Sequence, residues 1–165
     1  MFRIVFNTSP VVEALRAAEA RLDDMTPTYE EIGEYMIEQT KERFRLGVSP
    51  DGTKWAPKRP ATLARYAAHG DGNLPNPLIG PSRRLSNEIH RFASPSGVEI
   101  GSALEYSAVH QNGALKGKFG RTHRKGFEAG QPIPWGNIPA RVWLGLSEEN
   151  ERTLIEIAED YVFPE

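Results

Sequence analysis

Apolar positions fall into three regimes along the chain. Phe2, Ile4 and Phe6 alternate with other residues at the start, which predicts a short first strand. Val11, Val12, Leu15, Ala18 and Leu22 then recur at helical spacing. They follow Thr8 or Ser9 as the N-cap and Pro10 in the first turn. The run Asp23 to Pro27 breaks this helix. A second helix follows, with Thr26 as cap and Pro27 in the first turn. Ile32, Tyr35, Met36, Gln39, Thr40 and Phe44 form its stripe, and Gly47 is its stop. Lys41, Arg43 and Arg45 sit at its negative end.

The helical period disappears after Gly47. Residues 48–81 are rich in Pro and Gly and are expected to form a flexible loop carrying one short helix over 61–68, with Trp55 packing the first part onto the body. Ser82–Asn87 reads as a helical turn. Ile89–Phe92 and Val98–Ser102 form a hairpin turned at Pro95-Ser96-Gly97. A short helix over 103–111 ends at Asn112-Gly113, and a second flexible loop spans about 114–131. Arg141–Leu144 reads as the last strand. Ser147 caps a final helix with Glu148, Glu149 and Glu151 in its first turn and Leu154, Ile157, Ala158 and Tyr161 on its apolar face. The expected fold class is α+β. A small, mostly antiparallel sheet packs against a long N-terminal helix pair and a C-terminal helix, with long extended loops.

Length and composition narrow the class. The 165 residues fit one domain spanning 1–165. There is no cysteine, which excludes disulfides and thiolate metal sites. Met1–Asn7 lacks the apolar region of a signal peptide, and no stretch approaches the ~20 apolar residues of a membrane span. The expectation is therefore folding in the cytoplasm, with no membrane partner. Net charge is −2 but segregated: residues 41–125 hold 15 Lys/Arg and 6 Asp/Glu, leaving 5 against 16 in the flanks. This is either a set of solvated helix faces or a self-complementary pattern in which basic surface on one subunit meets acidic helices on the next.

The four histidines, at 69, 90, 110 and 123, have no metal-ligand spacing, and no Gly-x-Ser-x-Gly nucleophile turn is present. No catalytic residue, cofactor site or metal site is assigned. His110 and Gln111 are expected to hydrogen-bond nearby backbone where the chain leaves a helix at Gly113. The alternative is a hydrolase centred on His110. Arg141, among apolar residues, has to pair its five donors, either across a subunit interface or with carbonyls of its own subunit. In both cases Arg141→Lys is not conservative. Lys116, Lys118, Phe119, Arg121, Arg124 and Lys125 form a glycine-rich basic loop suited to a partner surface, or to phosphates. Trp55, Trp135 and Trp143 bracket proline-rich turns. The expected role is to anchor loops on the core, with Trp135 also a candidate interface anchor.

Several segments recur in a recognisable order. They are Pro50-x-Gly52-x-x-Trp55, then Leu78 to Ile89, then Tyr106-Ser107-x-x-His110-Gln111-x-Gly113, then Pro139-Ala140-Arg141-x-x-Leu144-Gly145-Leu146-Ser147 ahead of the last helix. The ordered set resembles the phage virion morphogenesis (tail completion) family over most of the chain. Here Leu78–Ile89 departs from the family spacing, Val142-Trp143 stands where Pro-Phe is frequent, and Ser107 stands where Ala is frequent.

The resemblance implies a non-catalytic structural protein of a bacteriophage virion, located in the tail or neck region. It would act in tail completion and head–tail joining as a ring, by family resemblance a hexamer, between the tail tube protein and the head–tail connector or neck proteins. A neck adaptor touching DNA in the lumen through residues 116–125 stays open. Trp55, Tyr106, His110, Gln111, Gly113, Pro139, Ala140 and Gly145 carry the motif. Arg141, Trp135, Trp143 and the basic loop are the candidate oligomer or partner interface.

Overall fold

In the computed structural model, described over residues 8–122 and 130–164, the architecture is built around one long helix. The expected first strand at Phe2–Phe6 and the cations Arg124 and Lys125 lie outside the described residues. Helix α1 covers Ser9–Asp23 and α2 covers Thr26–Leu46. Pro27 occupies the first turn of α2. Met25 is the N-cap residue, without a side-chain cap, so Thr26 is the first helical residue and not the cap; its N–H donates to the Asp24 carboxylate at 3.0 Å. Gly47 ends α2 in the left-handed conformation (φ 72°), with its N–H donating to Arg43 O at 2.7 Å.

Helix α3 (Pro60–His69) and the turn α4 (Arg84–Asn87) follow, then strands β1 (His90–Ser94) and β2 (Gly97–Gly101). The strands pair antiparallel in the register His90↔Gly101 to Ser94↔Gly97. Helix α5 (Ser107–Asn112) and helix α6 (Glu148–Val162) complete the regular structure. Helix α2 packs on both strands, on α4 and on α6, while α1 packs on α6. This is an α+β fold with a two-stranded antiparallel sheet.

The core forms where the C-terminal half of α2 meets the loops. Phe44 is 1% exposed, with the ring centroids of Trp55 and Trp143 at 5.4 and 5.9 Å. Ile37, Leu85, Ile89 and Leu104 complete the cluster. Trp55 thus pins the start of the Pro/Gly-rich stretch, as its size and position led us to expect. Its indole N–H reaches Val142 O at 3.0 Å and Ser49 Oγ at 3.1 Å.

Two expectations fail for physical reasons. The apolar stripe of α1 is present, but only Ala18 is buried, and Val11, Val12, Leu15 and Leu22 are exposed. Amphipathic spacing marks a face able to pack; near its end α1 is tied by Arg21 to Val162 O (3.1 Å) and Tyr161 to Asp24 O (3.0 Å). Arg141–Leu144, expected as a strand, is not one. Its backbone is held by a side chain, described below.

Arg43 also departs from the reading as a surface cation near the end of α2. It is buried and donates to Gly145 O at 2.7 Å and to the Asn150 side-chain oxygen. Asn150 also donates to Tyr35 Oη at 3.0 Å and closes a reciprocal capping box with Ser147. One buried amide thus starts α6 and ties it to α2.

Candidate functional site

The two motif segments meet in space. Helix α5 ends at Gly113, whose φ of 71° and ψ of 174° suit glycine. A Cβ there would lie 2.7 Å from Ala140 N and 2.8 Å from Ile138 O, so the chain crosses its own backbone with no room for a side chain. Ala114 and Ile138 then exchange backbone hydrogen bonds at 2.9 and 2.7 Å, and Arg141 N donates to His110 O at 2.7 Å.

Gln111 does the work of a neighbouring strand. Its Oε1 accepts from Trp143 N (2.9 Å) and Leu144 N (3.1 Å), while Nε2 donates to Leu144 O (2.8 Å). Three backbone groups that a sheet partner would satisfy are satisfied by one amide, so the segment stays extended without a ladder. Trp143 is 3% exposed, its indole N–H on Ser107 O at 3.3 Å.

Arg141 is buried. Its Nε donates to Ala56 O at 2.7 Å and its NH2 to Pro57 O at 3.1 Å, so the guanidinium fork holds the opposite wall of the site within its own subunit. Lysine has no fork to span two successive carbonyls. Arg141→Lys is expected to cost about 1–3 kcal/mol of stability in chemical denaturation. A loss below half that would mean that the fork is not structural.

Beside this junction opens a cleft of about 720 Å3. Lys58, Arg59, Arg84, His110 and Arg141 line it with Tyr66, Tyr106 and Trp135, over apolar side chains that include Leu78, Ile79 and Ile133. Among the described residues no Asp or Glu lines it. Arg84 is paired with Glu88 at 2.6 Å. The hydrogen bonds of the other cations go, among the described residues, to carbonyls. Lys58 donates to Leu74 O and Ile79 O, with its ammonium 5.0 Å from the centre of the Tyr66 ring, and Arg59 donates to Asn137 O at 2.6 Å. The described walls of the cleft therefore carry positive charge that no carboxylate among them neutralises.

Two titrating groups respond to that field. Burial first, and then the charge of Arg141, hold both Lys58 and His110 below their ordinary pKa values. Where a backbone hydrogen bond was expected for His110, its Nδ1 is instead buried without a hydrogen-bond partner among the described residues, and its ring stands edge-on to Tyr106 at 6.0 Å. With its folded pKa lowered, the unfolded chain binds more protons once pH falls below the unfolded value of about 6.5. The contribution of His110 is thus fully present above that pH and is lost as pH falls through the folded pKa. His110→Gln is expected to flatten the fall of Tm between neutral pH and pH 5; an unchanged slope would assign that fall to other groups.

The sequence candidates separate into three places. Tyr106, His110, Pro139, Arg141 and Trp135 line the cleft, with Trp135 77% exposed at its rim. Trp55, Trp143, Gln111, Gly113, Ala140 and Gly145 build the scaffold behind it. Lys116, Lys118, Phe119 and Arg121 are exposed outside it, on a long irregular hairpin whose limbs are joined by Gly117 N to Pro134 O (3.0 Å), Phe119 N to Ile133 O (2.8 Å) and Ile133 N to Gly120 O (2.8 Å). Sequence reasoning missed Lys58 and Arg59; their place in the basic middle, just before the helix-starting Pro60, was the available signal. Among the described residues no three His, Asp or Glu side chains converge as a metal site, and no helix is long and apolar enough to cross a membrane.

No curated protein and no solved structure matches the chain. A family model does, over residues 6–163, which takes in both motif segments, every wall of the cleft and the helices that support them. On that match the chain belongs to the phage virion morphogenesis family, and its role is structural, in building a phage particle.

Proposed function

We propose that this protein is a non-catalytic subunit of tail completion and head–tail joining, acting as a closed ring at the head-proximal end of the tail. The observation that carries the reading is the family match over residues 6–163, nearly the whole chain. Unpartnered surface supports it. Trp135, Leu115, Phe119 and the α1 residues Val11, Val12 and Leu15 are large apolar side chains left exposed by one subunit. A growing tube presents a reactive end. A ring with one face for the tube and one for the connector stops growth and permits docking, and head-to-tail contacts that close generate such rings.

Among the described residues the hydrolase reading centred on His110 finds no orienting carboxylate on its Nδ1. Exposed Lys116, Lys118 and Arg121 around Phe119 favour a second reading, contact with the phosphates of DNA in the lumen. Light scattering of the purified protein, alone and with isolated tail tubes, tests the main reading. A ring, or a monomer that becomes a ring at one tube end, is the expected result, and a monomer that ignores tubes overturns it. Retention on DNA that falls steeply with salt would support the second reading.

A further inference from the structure

We infer that the cationic cleft is the receiving half of a head-to-tail contact, and that its occupant is the outer face of α6 from a second copy of this chain. The inference rests on the ring reading and names the surfaces that make the ring.

The chemistry of the two surfaces is complementary. The cleft has apolar side chains in Leu78, Ile79 and Ile133 beside Lys58, Arg59 and Arg141, whose charges meet no carboxylate among its described lining residues. Helix α6 carries six acidic residues against one cation, Arg152, and all six are exposed. On its outer face Ile155 is 57% exposed, with Glu151 and Glu159 four residues to either side and Glu148 a turn earlier. An aliphatic side chain flanked by carboxylates matches an apolar floor flanked by cations. A largely exposed tryptophan at the rim, Trp135, is the type of residue that anchors an interface.

The occupant has to come from another molecule. Asn150 fastens α6 to Arg43 and Tyr35 of α2, so the helix cannot swing toward the cleft of its own subunit. The cleft walls come from residues 58–85, 106–110, 122 and 133–141, with none from α1, α2, the β hairpin or α6. Donor and acceptor therefore occupy different surfaces of one subunit, a heterologous arrangement that closes into a ring or propagates. Seating carboxylates beside Lys58 and Arg141 would also favour the charged forms of Lys58 and His110, which burial first and then the charge of Arg141 now disfavour.

Two single variants test this on the full chain. Trp135→Glu spoils the cleft and Ile155→Lys spoils the helix face, both at exposed positions. The readout is particle mass by sedimentation in low salt, alone and with tail tubes. Wild type is expected to assemble, each variant alone to assemble roughly tenfold or more weakly, and wild-type assembly to weaken with salt. The decisive result is the mixture: each variant keeps one intact surface, so the two together should give a one-to-one dimer that grows no further. That dimer also proves both variants folded.

Variants that assemble like wild type overturn the cleft contact and leave the ring reading standing. Variants that fail alone and also fail to pair when mixed, while melting as wild type does, overturn the pairing of these two surfaces. A wild type that stays monomeric with and without tubes overturns both the contact and the ring.

Discussion

Phe44→Ala is expected to destabilise the folded chain by about 3–5 kcal/mol, the range for emptying a well-packed aromatic site. The residue is 1% exposed and lies against both Trp55 and Trp143, so its ring is the common neighbour of the two segments that frame the site. Edge-on and tilted aromatic contacts add to the area term. These two large rigid neighbours cannot collapse into the void without moving Trp55 off Val142 O and Ser49 Oγ or Trp143 off Ser107 O, which would leave an indole N–H with fewer or no partners. Against a total stability of about 5–15 kcal/mol, such a loss leaves a marginal protein. Urea unfolding should show a lower midpoint at unchanged slope. Phe44→Leu, which keeps most of the volume, should lose less than half as much. A loss under about 1.5 kcal/mol for the alanine variant would mean that the two tryptophans do not depend on this ring.

The parts of this fold that depend on local rules could be read from the sequence. Helix α2 ends at Gly47 because glycine alone enters the left-handed region without strain, and α6 starts at Ser147 because its hydroxyl accepts the Asn150 N–H at 3.1 Å. The hairpin follows from two short apolar runs around Pro95-Ser96-Gly97. What could not be read depends on partners far along the chain. Arg43 looks like a terminal helix cation until Asn150, 107 residues later, takes its guanidinium. The extended segment 141–144 looks like a strand because Val, Trp and Leu suit one, but its neighbour is the Gln111 amide, which no periodicity signals. The stripe on α1 keeps one face apolar, yet Val11, Val12, Leu15 and Leu22 are exposed and of the stripe only Ala18 is buried. Amphipathicity reports that a surface is apolar, not which molecule covers it.

The same distinction holds at the site. His110, Gln111 and Arg141 stood out because polar residues among apolar ones require an explanation, and each has a specific environment in the fold: a half-buried imidazole, a surrogate strand and a buried fork. Lys58 and Arg59 did not stand out, because a basic dipeptide before a proline is ordinary on a surface. Their significance comes from enclosure without a carboxylate, which is a property of the walls brought together by the fold.

Gly113→Ala is expected to cost about 3 kcal/mol or more, and Gly52→Ala supplies its control. Both glycines have positive φ, at 71° and 80°. Around Gly52 nothing lies within 4 Å of an added Cβ, so its substitution carries only conformational strain, about 1–2 kcal/mol. At Gly113 a backbone region reserved almost wholly for glycine, worth about 1–3 kcal/mol, is combined with backbone atoms of Ala140 and Ile138 at 2.7 and 2.8 Å. Those atoms belong to main chain pinned by the Ala114–Ile138 hydrogen bonds and by Arg141 N on His110 O, so they cannot yield as a flexible side chain would. Separating them breaks the junction between α5 and the Pro139–Ser147 segment, which also moves Arg141 away from the carbonyls of Ala56 and Pro57 and opens the cleft wall. The expected result is therefore a large fall in the denaturation midpoint for Gly113→Ala, a small one for Gly52→Ala, and loss of assembly in the first variant alone. Equal losses for the two would show that backbone conformation, not the crossing of the two motif segments, is what glycine provides at this position.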